Sequence, residues 1–147
     1  MDDEAEALAK RVARHLHASE TTNAAWDIRF EDAGLGWARC SMVIRDDMLN
    51  GHGTGHGGII FSLADTAFAW ACNSRNVRSF GYHAAISYLS PAKSGEKLVA
   101  DAREDAFEGR SGVYTVSVIG EDGRTVAIFQ GLSRTAGGPL VEEKSDE

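Results

Sequence analysis

The chain has 147 residues and a formal net charge of −7 at neutral pH. This length fits one domain with its own core, and a hydrophobic fraction of 43% with a charged fraction of 25% is typical of a soluble globular protein. The acidic balance excludes a general nucleic-acid binder and a membrane-surface binder, because either would present a basic face.

The N-terminus and the cysteines indicate the compartment. The acidic start of the chain lacks an apolar signal region, and no stretch is predicted to be a transmembrane helix. Cys40 and Cys72 are far apart and form no paired framework, so both are predicted to be reduced core residues. The expectation is therefore a cytoplasmic protein that binds no membrane.

The predicted elements follow a simple order. Residues 1–17 carry apolar side chains near helical spacing and predict an amphipathic helix. Six later segments alternate apolar with polar residues, or are rich in β-branched residues, between turn signals. These predicted strands are residues 25–31, 37–45, 79–90, 97–104, 113–119 and 124–134. Residues 137–147 are polar and charged and predict a disordered tail, which leaves a single domain at residues 1–136.

A glycine-rich loop and an apolar segment separate the second and third predicted strands. The loop, residues 50–58, has the sequence N-G-H-G-T-G-H-G-G. Residues 59–74 are almost wholly apolar and contain no Gly or Pro, which predicts a buried helix about 25 Å long. Two strands, a helix and four strands indicate an α+β fold with one antiparallel sheet.

Asp65 interrupts the apolar pattern in the middle of this helix. An ionised carboxylate is rarely buried without a partner, so we expect either a perturbed pKa with a chemical role, or a structural pairing, or exposure to solvent. The first N–H groups of a helix have no intrahelical partner, which makes the Gly57 N–H a candidate donor to a developing oxyanion. A carboxylate and such a donor together suit hydrolysis of an acyl group.

One helix cannot easily supply both groups to one carbonyl. Eight residues separate Gly57 from Asp65, which corresponds to about 12 Å along the helix axis. A reacting carbonyl lies about 3 Å from its donors. Two antiparallel copies of the helix across a two-fold axis would bring Gly57 of one subunit to Asp65 of the partner subunit. We therefore expect a homo-oligomer with two sites in each dimer.

The run from Met48 to Asn73, M-L-N-G-H-G-T-G-H-G-G-I-I-F-S-L-A-D-T-A-F-A-W-A-C-N, resembles thioesterases of the PaaI type, in the hotdog-fold superfamily. The resemblance is dense over these 26 residues and looser as far as Gly137. It implies a long central helix wrapped by an antiparallel sheet of about five or six strands, and dimers that pair into a tetramer. It also implies hydrolysis of acyl-CoA thioesters without a cofactor, with phenylacetyl-CoA or hydroxyphenylacetyl-CoA as the expected substrate.

The resemblance also implies roles for individual residues. Asp65 is the expected catalytic carboxylate, as nucleophile or as general base on water, and Gly57 donates to the thioester oxygen. Asn50 and His56 are expected at the site. Gly58 is expected to contact substrate. Thr66 could orient the water or the acyl group, although core packing or a bond back to the helix backbone is the alternative.

The phosphates of CoA require cations. Arg110, Lys93 and Arg134 are at or near predicted strand ends, and Arg110 is our first candidate for a phosphate contact. Related sequences can carry a basic residue before the proline at position 91, where this chain has Ser90. Each of the three cations has a solvated surface charge as its alternative role.

Other kinds of site are not predicted. His52 and His56 have a spacing that can hold a metal on a helix, but Gly53 and Gly55 between them exclude a helix and no third ligand stands out. The loop lacks the G-K-[ST] of a phosphate-binding loop and the spacing of a dinucleotide fingerprint. Two alternatives to a thioesterase remain. One is a hydratase or dehydratase on the same fold, and the other is a non-catalytic module that binds acyl-CoA or has a regulatory role.

Overall fold

A computed structural model describes residues 2–143. The helices are α1 (Asp2–Ser19), α2 (Thr21–Trp26) and α3 (Gly57–Cys72), and a 3-10 turn covers Asp46–Met48. The strands are β1 (Arg29–Gly34), β2 (Trp37–Val43), β3 (Ser79–Tyr88), β4 (Lys97–Glu108), β5 (Ser111–Ile119) and β6 (Thr125–Thr135). The order of elements therefore agrees with the predicted order, apart from the additional helix α2.

The strands form one antiparallel sheet in the order β1-β2-β4-β5-β6-β3. The long helix α3 packs against this sheet, which confirms the predicted α+β hotdog architecture. β3 pairs with β6 along one side. Its other side has no strand partner within the described part of the chain, so ten residues of backbone lie at an open edge.

The core lies between α3 and the sheet. Leu63 and Trp70 are fully buried, and Phe68 is almost so. The ring of Phe68 lies 5.7 Å from the ring of Phe129, between centroids, in a tilted arrangement. A Cβ added at Gly131 would lie 2.7 Å from the Phe68 ring, so β6 can approach the helix this closely because it has no side chain there.

One face of α3 is open in the single chain. Gly58 and Asp65 are exposed, and Phe61, Ser62 and Ala69 are half-buried. These five residues recur every three or four positions, so they form one stripe along the helix, which we call the open stripe. The sequence predicts a helix buried nearly all round; within one chain this is wrong along the open stripe.

The first predicted strand, residues 25–31, is partly wrong. The chain is helical as far as Trp26, and Asp27 then adopts a left-handed conformation with a φ of 52°. β1 begins at Arg29 and continues through Gly34, three residues beyond the predicted end at residue 31. Three alternating apolar residues are too short a pattern to distinguish a strand from a helix end followed by a strand.

Residues 137–143 contact the segment before β3. The Asn76 side chain accepts the N–H groups of Leu140 and Val141 and donates to the Val141 carbonyl. The Arg78 N–H donates to the Gly138 carbonyl at 2.8 Å. The sequence predicts a disordered tail at residues 137–147, whereas residues 138–141 make these hydrogen bonds. Residues 144–147 lie outside the described part of the chain. The domain boundary at residue 136 stays a prediction.

A buried ion pair holds the loop between β3 and β4. Glu96 is 9% exposed, and both its carboxylate oxygens accept from the Arg124 guanidinium at 2.8 Å. The Lys93 N–H also donates to this carboxylate. Arg124 donates in addition to the Pro91 carbonyl at 2.6 Å. Charge-assisted hydrogen bonds of Arg124 and Glu96 therefore fix the loop between β3 and β4.

The Glu96 ion pair predicts a pH-dependent stability. Hydrogen bonds from Arg124 lower the pKa of Glu96 to about 2, from an ordinary value of 4.5. Its contribution is complete above pH 4.5 and is lost as the pH falls toward 2. Glu96→Gln should lower the free energy of unfolding by about 2 kcal/mol at pH 7, and by much less near pH 2. Urea unfolding at both pH values measures this, with the exposed Glu108→Gln as control; an equal loss at both would contradict the prediction.

Candidate active site

The start of α3 leaves one N–H group free. His56 caps the helix: its Nδ1 accepts the Gly58 N–H at 2.9 Å, and its carbonyl accepts the N–H groups of Ile59 and Ile60 at 3.0 and 3.1 Å. The Gly57 N–H has no hydrogen-bond partner among the described residues. It lies in the first turn, where the positive end of the helix dipole adds to its strength as a donor. It can therefore bind an oxyanion.

The glycine-rich loop is ordered by Asn50. The Asn50 side-chain oxygen accepts the N–H groups of His52 and Thr54 at 2.9 and 3.2 Å, and its amide donates to the Thr54 hydroxyl at 3.1 Å. These local bonds close the turn that leads into the helix. Asn50 thus shapes the loop, and its role toward substrate stays a prediction.

Gly57 opens into a cleft of about 380 Å³, which we call the amide cleft. It is lined by Asn50, Thr54, Gly55, Gly57, Ile60, Tyr88, Leu89, Ser90 and Pro91. The glycine loop, the first turn of α3 and the end of β3 therefore meet at one surface.

Asp65 lies in a second cleft of about 390 Å³, which we call the carboxylate cleft. It is lined by Glu20, Thr22, Trp26, Ile28, Phe61, Ser62, Asp65, Thr66 and Ala69. Asp65 is exposed in the single chain, which is the solvent exposure that the sequence left open as one alternative. The walls of the cleft nevertheless desolvate its carboxylate and raise its pKa. Neighbouring Thr66 donates its hydroxyl to the Ser62 carbonyl at 2.8 Å, the backbone bond that the sequence allows.

One chain does not bring Gly57 and Asp65 to the same cleft. Gly57 lines the amide cleft and Asp65 lines the carboxylate cleft, eight residues further along α3. This separation agrees with the helix geometry predicted from the sequence. Each chain therefore carries two partial sites on the same helix.

Sequence reasoning missed two contributors to these clefts. Glu20 and α2 form a wall of the carboxylate cleft, and burial together with the Asp65 charge raises the pKa of Glu20. The break in the helical pattern before Thr21-Thr22 is the signal that could have indicated this turn. Tyr88 lies in the amide cleft and donates its hydroxyl to the Gly57 carbonyl at 2.7 Å. No sequence pattern links two residues that are 31 positions apart.

Arg110 lies at the turn between β4 and β5. Its guanidinium donates to the Thr135 carbonyl from Nη2 at 2.8 Å and from Nε at 3.3 Å. It lines neither cleft. Its predicted contact with a CoA phosphate stays untested.

Residues 2–143 contain two buried thiols and several histidines and carboxylates that bear on other kinds of chemistry. In this part of the chain no three His, Cys, Asp or Glu side chains are grouped to hold a metal ion. None of its helices combines the length and apolar character needed to cross a membrane. Cys40 and Cys72 are buried free thiols, as predicted, and burial raises both pKa values, that of Cys72 to about 12.

Comparisons with known proteins agree with this fold. The model of the thioesterase superfamily matches residues 52–127. Acyl-coenzyme A thioesterase PaaI of Escherichia coli K12 is 40% identical over 108 residues, which cover 74% of this chain and 77% of that protein. A putative esterase of Archaeoglobus fulgidus is 33% identical over 124 residues, which cover 84% of this chain and 80% of the relative.

A solved structure matches over nearly the whole fold. The PaaI protein from the phenylacetic acid degradation operon of E. coli superposes with a TM-score of 0.90 at 34% identity. The match covers 92% of this chain and 99% of that one. The chain therefore belongs to the thioesterase superfamily, and it is a PaaI-type thioesterase with the hotdog fold.

Proposed function

We propose that this protein hydrolyses acyl-CoA thioesters to a free acid and CoA, with phenylacetyl-CoA or hydroxyphenylacetyl-CoA as the preferred substrate. The observation that carries the proposal is the free Gly57 N–H at the start of α3, on the same helix as a carboxylate with a raised pKa. An oxyanion donor and a carboxylate together suit hydrolysis of an acyl group, because one stabilises the developing charge and the other activates water or attacks. Two findings support this substrate class. One relative is named acyl-coenzyme A thioesterase PaaI, and the PaaI structure is named for the phenylacetic acid degradation operon.

The site is completed by a second copy of the chain. β3 is a ten-residue open edge that exposes Phe80 and Tyr82, at 58% and 52% of their surface, and Leu89 just beyond its end is also exposed. Long apolar edges of this kind pair with another strand unless they are protected. Pairing of two β3 strands across a two-fold axis would extend the sheet and cover the open stripe of α3. Gly57 of one subunit and Asp65 of the partner subunit would then face one thioester.

The reaction follows from these positions. The thioester carbonyl oxygen accepts the Gly57 N–H, which stabilises negative charge as the tetrahedral intermediate forms. Asp65 removes a proton from water while the water oxygen attacks the carbonyl carbon. The intermediate then collapses, the C–S bond breaks, and the CoA thiolate leaves and takes a proton. In the other route the Asp65 carboxylate attacks the carbonyl carbon, the C–S bond breaks to release the CoA thiolate, and water then hydrolyses the acyl-enzyme anhydride to the free acid and the Asp65 carboxylate. His56 holds the helix start and Asn50 orders the loop in both routes.

The carboxylate cleft suits an aryl acyl group. Its apolar walls include Trp26, Ile28 and Phe61, and its volume of about 390 Å³ lies in the range of small-molecule sites. An aromatic ring would pack on these side chains while the carbonyl reaches Asp65. Thr66 lines the carboxylate cleft and Gly58 lies on the open stripe of α3, and both are proposed to contact substrate.

Three further proposals complete the assignment. Arg110 would contact a CoA phosphate from the β4–β5 turn. Dimers would pair into a tetramer, as the family resemblance implies. The protein would act in the cytoplasm, where acyl-CoA is available.

Thiol release from a panel of CoA thioesters tests the proposed function. The panel contains phenylacetyl, hydroxyphenylacetyl, benzoyl, acetyl and palmitoyl thioesters, followed by a thiol-reactive dye. We expect the two arylacetyl thioesters to give the highest kcat/KM, because their rings fit the apolar walls of the carboxylate cleft. A preference for palmitoyl-CoA would contradict the substrate assignment. Tight binding with no thiol release from any ester would instead indicate a binding module.

A further inference from the structure

Tyr88 makes a contact that the reaction above does not use. It is the last residue of β3, its side chain is half exposed, and its hydroxyl donates to the Gly57 carbonyl at 2.7 Å. The ring also fills the space where a side chain at position 57 would lie: a Cβ built there would be 3.0 Å from the ring carbon that carries the hydroxyl and from the hydroxyl itself. One side chain therefore contacts the proposed oxyanion donor in two ways.

We propose that Tyr88 is a positioning residue that fixes the Gly57 backbone so that its N–H points at the thioester oxygen. The inference rests on the proposed role of Gly57. Tyr88 acts through Gly57 and not on the thioester itself.

Glycine at this position makes such a restraint necessary. Without a Cβ, Gly57 has more backbone freedom than any other residue would have, and an oxyanion donor must be held in place before the charge develops. The peptide before Gly57 is held by the His56 carbonyl, which accepts from Ile59 and Ile60. The peptide after Gly57 is held at its N–H by His56 Nδ1 and at its carbonyl by Tyr88. Tyr88 thus supplies the hydrogen bond that comes from outside helix α3 and its cap.

The position of Tyr88 at the end of a paired strand makes this restraint stiff. β3 pairs with β6 up to Tyr88, which is opposite Ala127. The next residue, Leu89, donates its N–H to the Val126 carbonyl at 2.8 Å. The Tyr88 backbone is therefore anchored in the sheet, and its side chain links the sheet to the first turn of α3.

Tyr88→Phe tests the proposal, because it removes the hydroxyl and keeps the ring. We expect kcat for the best CoA thioester to fall roughly tenfold, the value of one hydrogen bond, with KM changed by less than about twofold. The melting temperature should stay native-like. Tyr82→Phe is the matched control, because Tyr82 is also on β3 and its ring packs on Arg134 at 4.9 Å. It should keep native kcat.

A second readout does not depend on activity. In protein labelled with ¹³C-glycine, the carbonyl carbon of Gly57 reports the hydrogen bond that it accepts. We expect its chemical shift to move upfield in Tyr88→Phe and to stay in place in Tyr82→Phe. If the native protein releases no thiol, the proposed function fails, and this shift still decides whether Tyr88 holds the Gly57 carbonyl. Native kcat in Tyr88→Phe, or an unmoved Gly57 shift, would overturn the proposal.

A double substitution provides an independent check on the same contact. The Cβ of Gly57→Ala would crowd the Tyr88 ring and hydroxyl at 3.0 Å, so both substitutions should perturb one interaction. The fall in kcat caused by Tyr88→Phe should therefore be much smaller in the Gly57→Ala background than in the native one. Fully additive effects would show that the two residues act separately and would contradict the proposed coupling.

Discussion

Asp65→Asn should lower kcat/KM for thiol release by about 10²- to 10⁴-fold, the usual contribution of a general base. The amide has nearly the same shape as the carboxylate but can neither accept a proton from water nor attack the thioester. Asp65 is exposed in the single chain and makes no side-chain hydrogen bond within the described residues, so the variant should fold normally. The measurement is steady-state thiol release. Circular dichroism and the hydrodynamic size of the variant confirm that it folds and assembles like the native protein.

A matched carboxylate separates this effect from a change in surface charge. Asp105 is exposed on β4 and lines neither cleft, so Asp105→Asn should keep native turnover. The pH dependence gives a second check. Because desolvation raises the Asp65 pKa above its ordinary 3.8, activity in the native protein should fall with acid at a pH above that value. Native turnover in Asp65→Asn would exclude this carboxylate from the chemistry.

Gly57→Pro should lower kcat by about 10²- to 10³-fold, which is the cost of removing one oxyanion donor. Proline has no N–H, yet it is well tolerated at the first position of a helix. His56 already has the extended backbone, with a ψ of 133°, that a residue before proline requires. Gly57→Ala is the control, because it adds the same Cβ beside Tyr88 but keeps the N–H. We expect its loss to be close to that of Tyr88→Phe.

Mixing the two inactive variants tests whether the site is shared between chains. A mixed dimer of Asp65→Asn and Gly57→Pro has one site with native Gly57 and native Asp65, and one site with neither. Random exchange makes half of the dimers mixed, so about a quarter of native activity should return. If both groups act within one chain, no mixture can recover activity, and the two-fold site would be wrong. The two inactive samples are mixed, partly denatured so that subunits exchange, and refolded together. Thiol release by the mixture is then compared with that of native protein.

The fold was predictable because its signals are local. Alternation of apolar with polar residues indicates the strands from β2 onward, and the apolar run after the glycine loop indicates α3. The order of these elements already indicates the α+β architecture. The boundary near Trp26 failed because a three-residue alternation fits a helix end as well as a strand. Whether Thr21–Trp26 becomes a helix depends on its packing against the rest of the chain, which a local pattern does not contain.

The relative position of two candidate site residues could be predicted where both lie on one element. Gly57 and Asp65 stand on α3, so the rise per residue alone predicts their separation, and the structure assigns them to different clefts. Glu20 and Tyr88 were missed because they reach the clefts from α2 and β3. The sequence left the exposure of Asp65 open because an apolar helix pattern does not reveal which stripe is covered by the same chain.

By itself the sequence determined the order of the elements, the family resemblance and the two groups of α3 that suit thioester hydrolysis. All three depend on residue types and on spacing along the chain. Only the tertiary structure decided that the Gly57 N–H is left free, that Tyr88 holds the Gly57 carbonyl, and that the Asp65 stripe and the β3 edge lie open. These features arise from contacts between residues distant in sequence, whose geometry is set when α3 packs against the sheet.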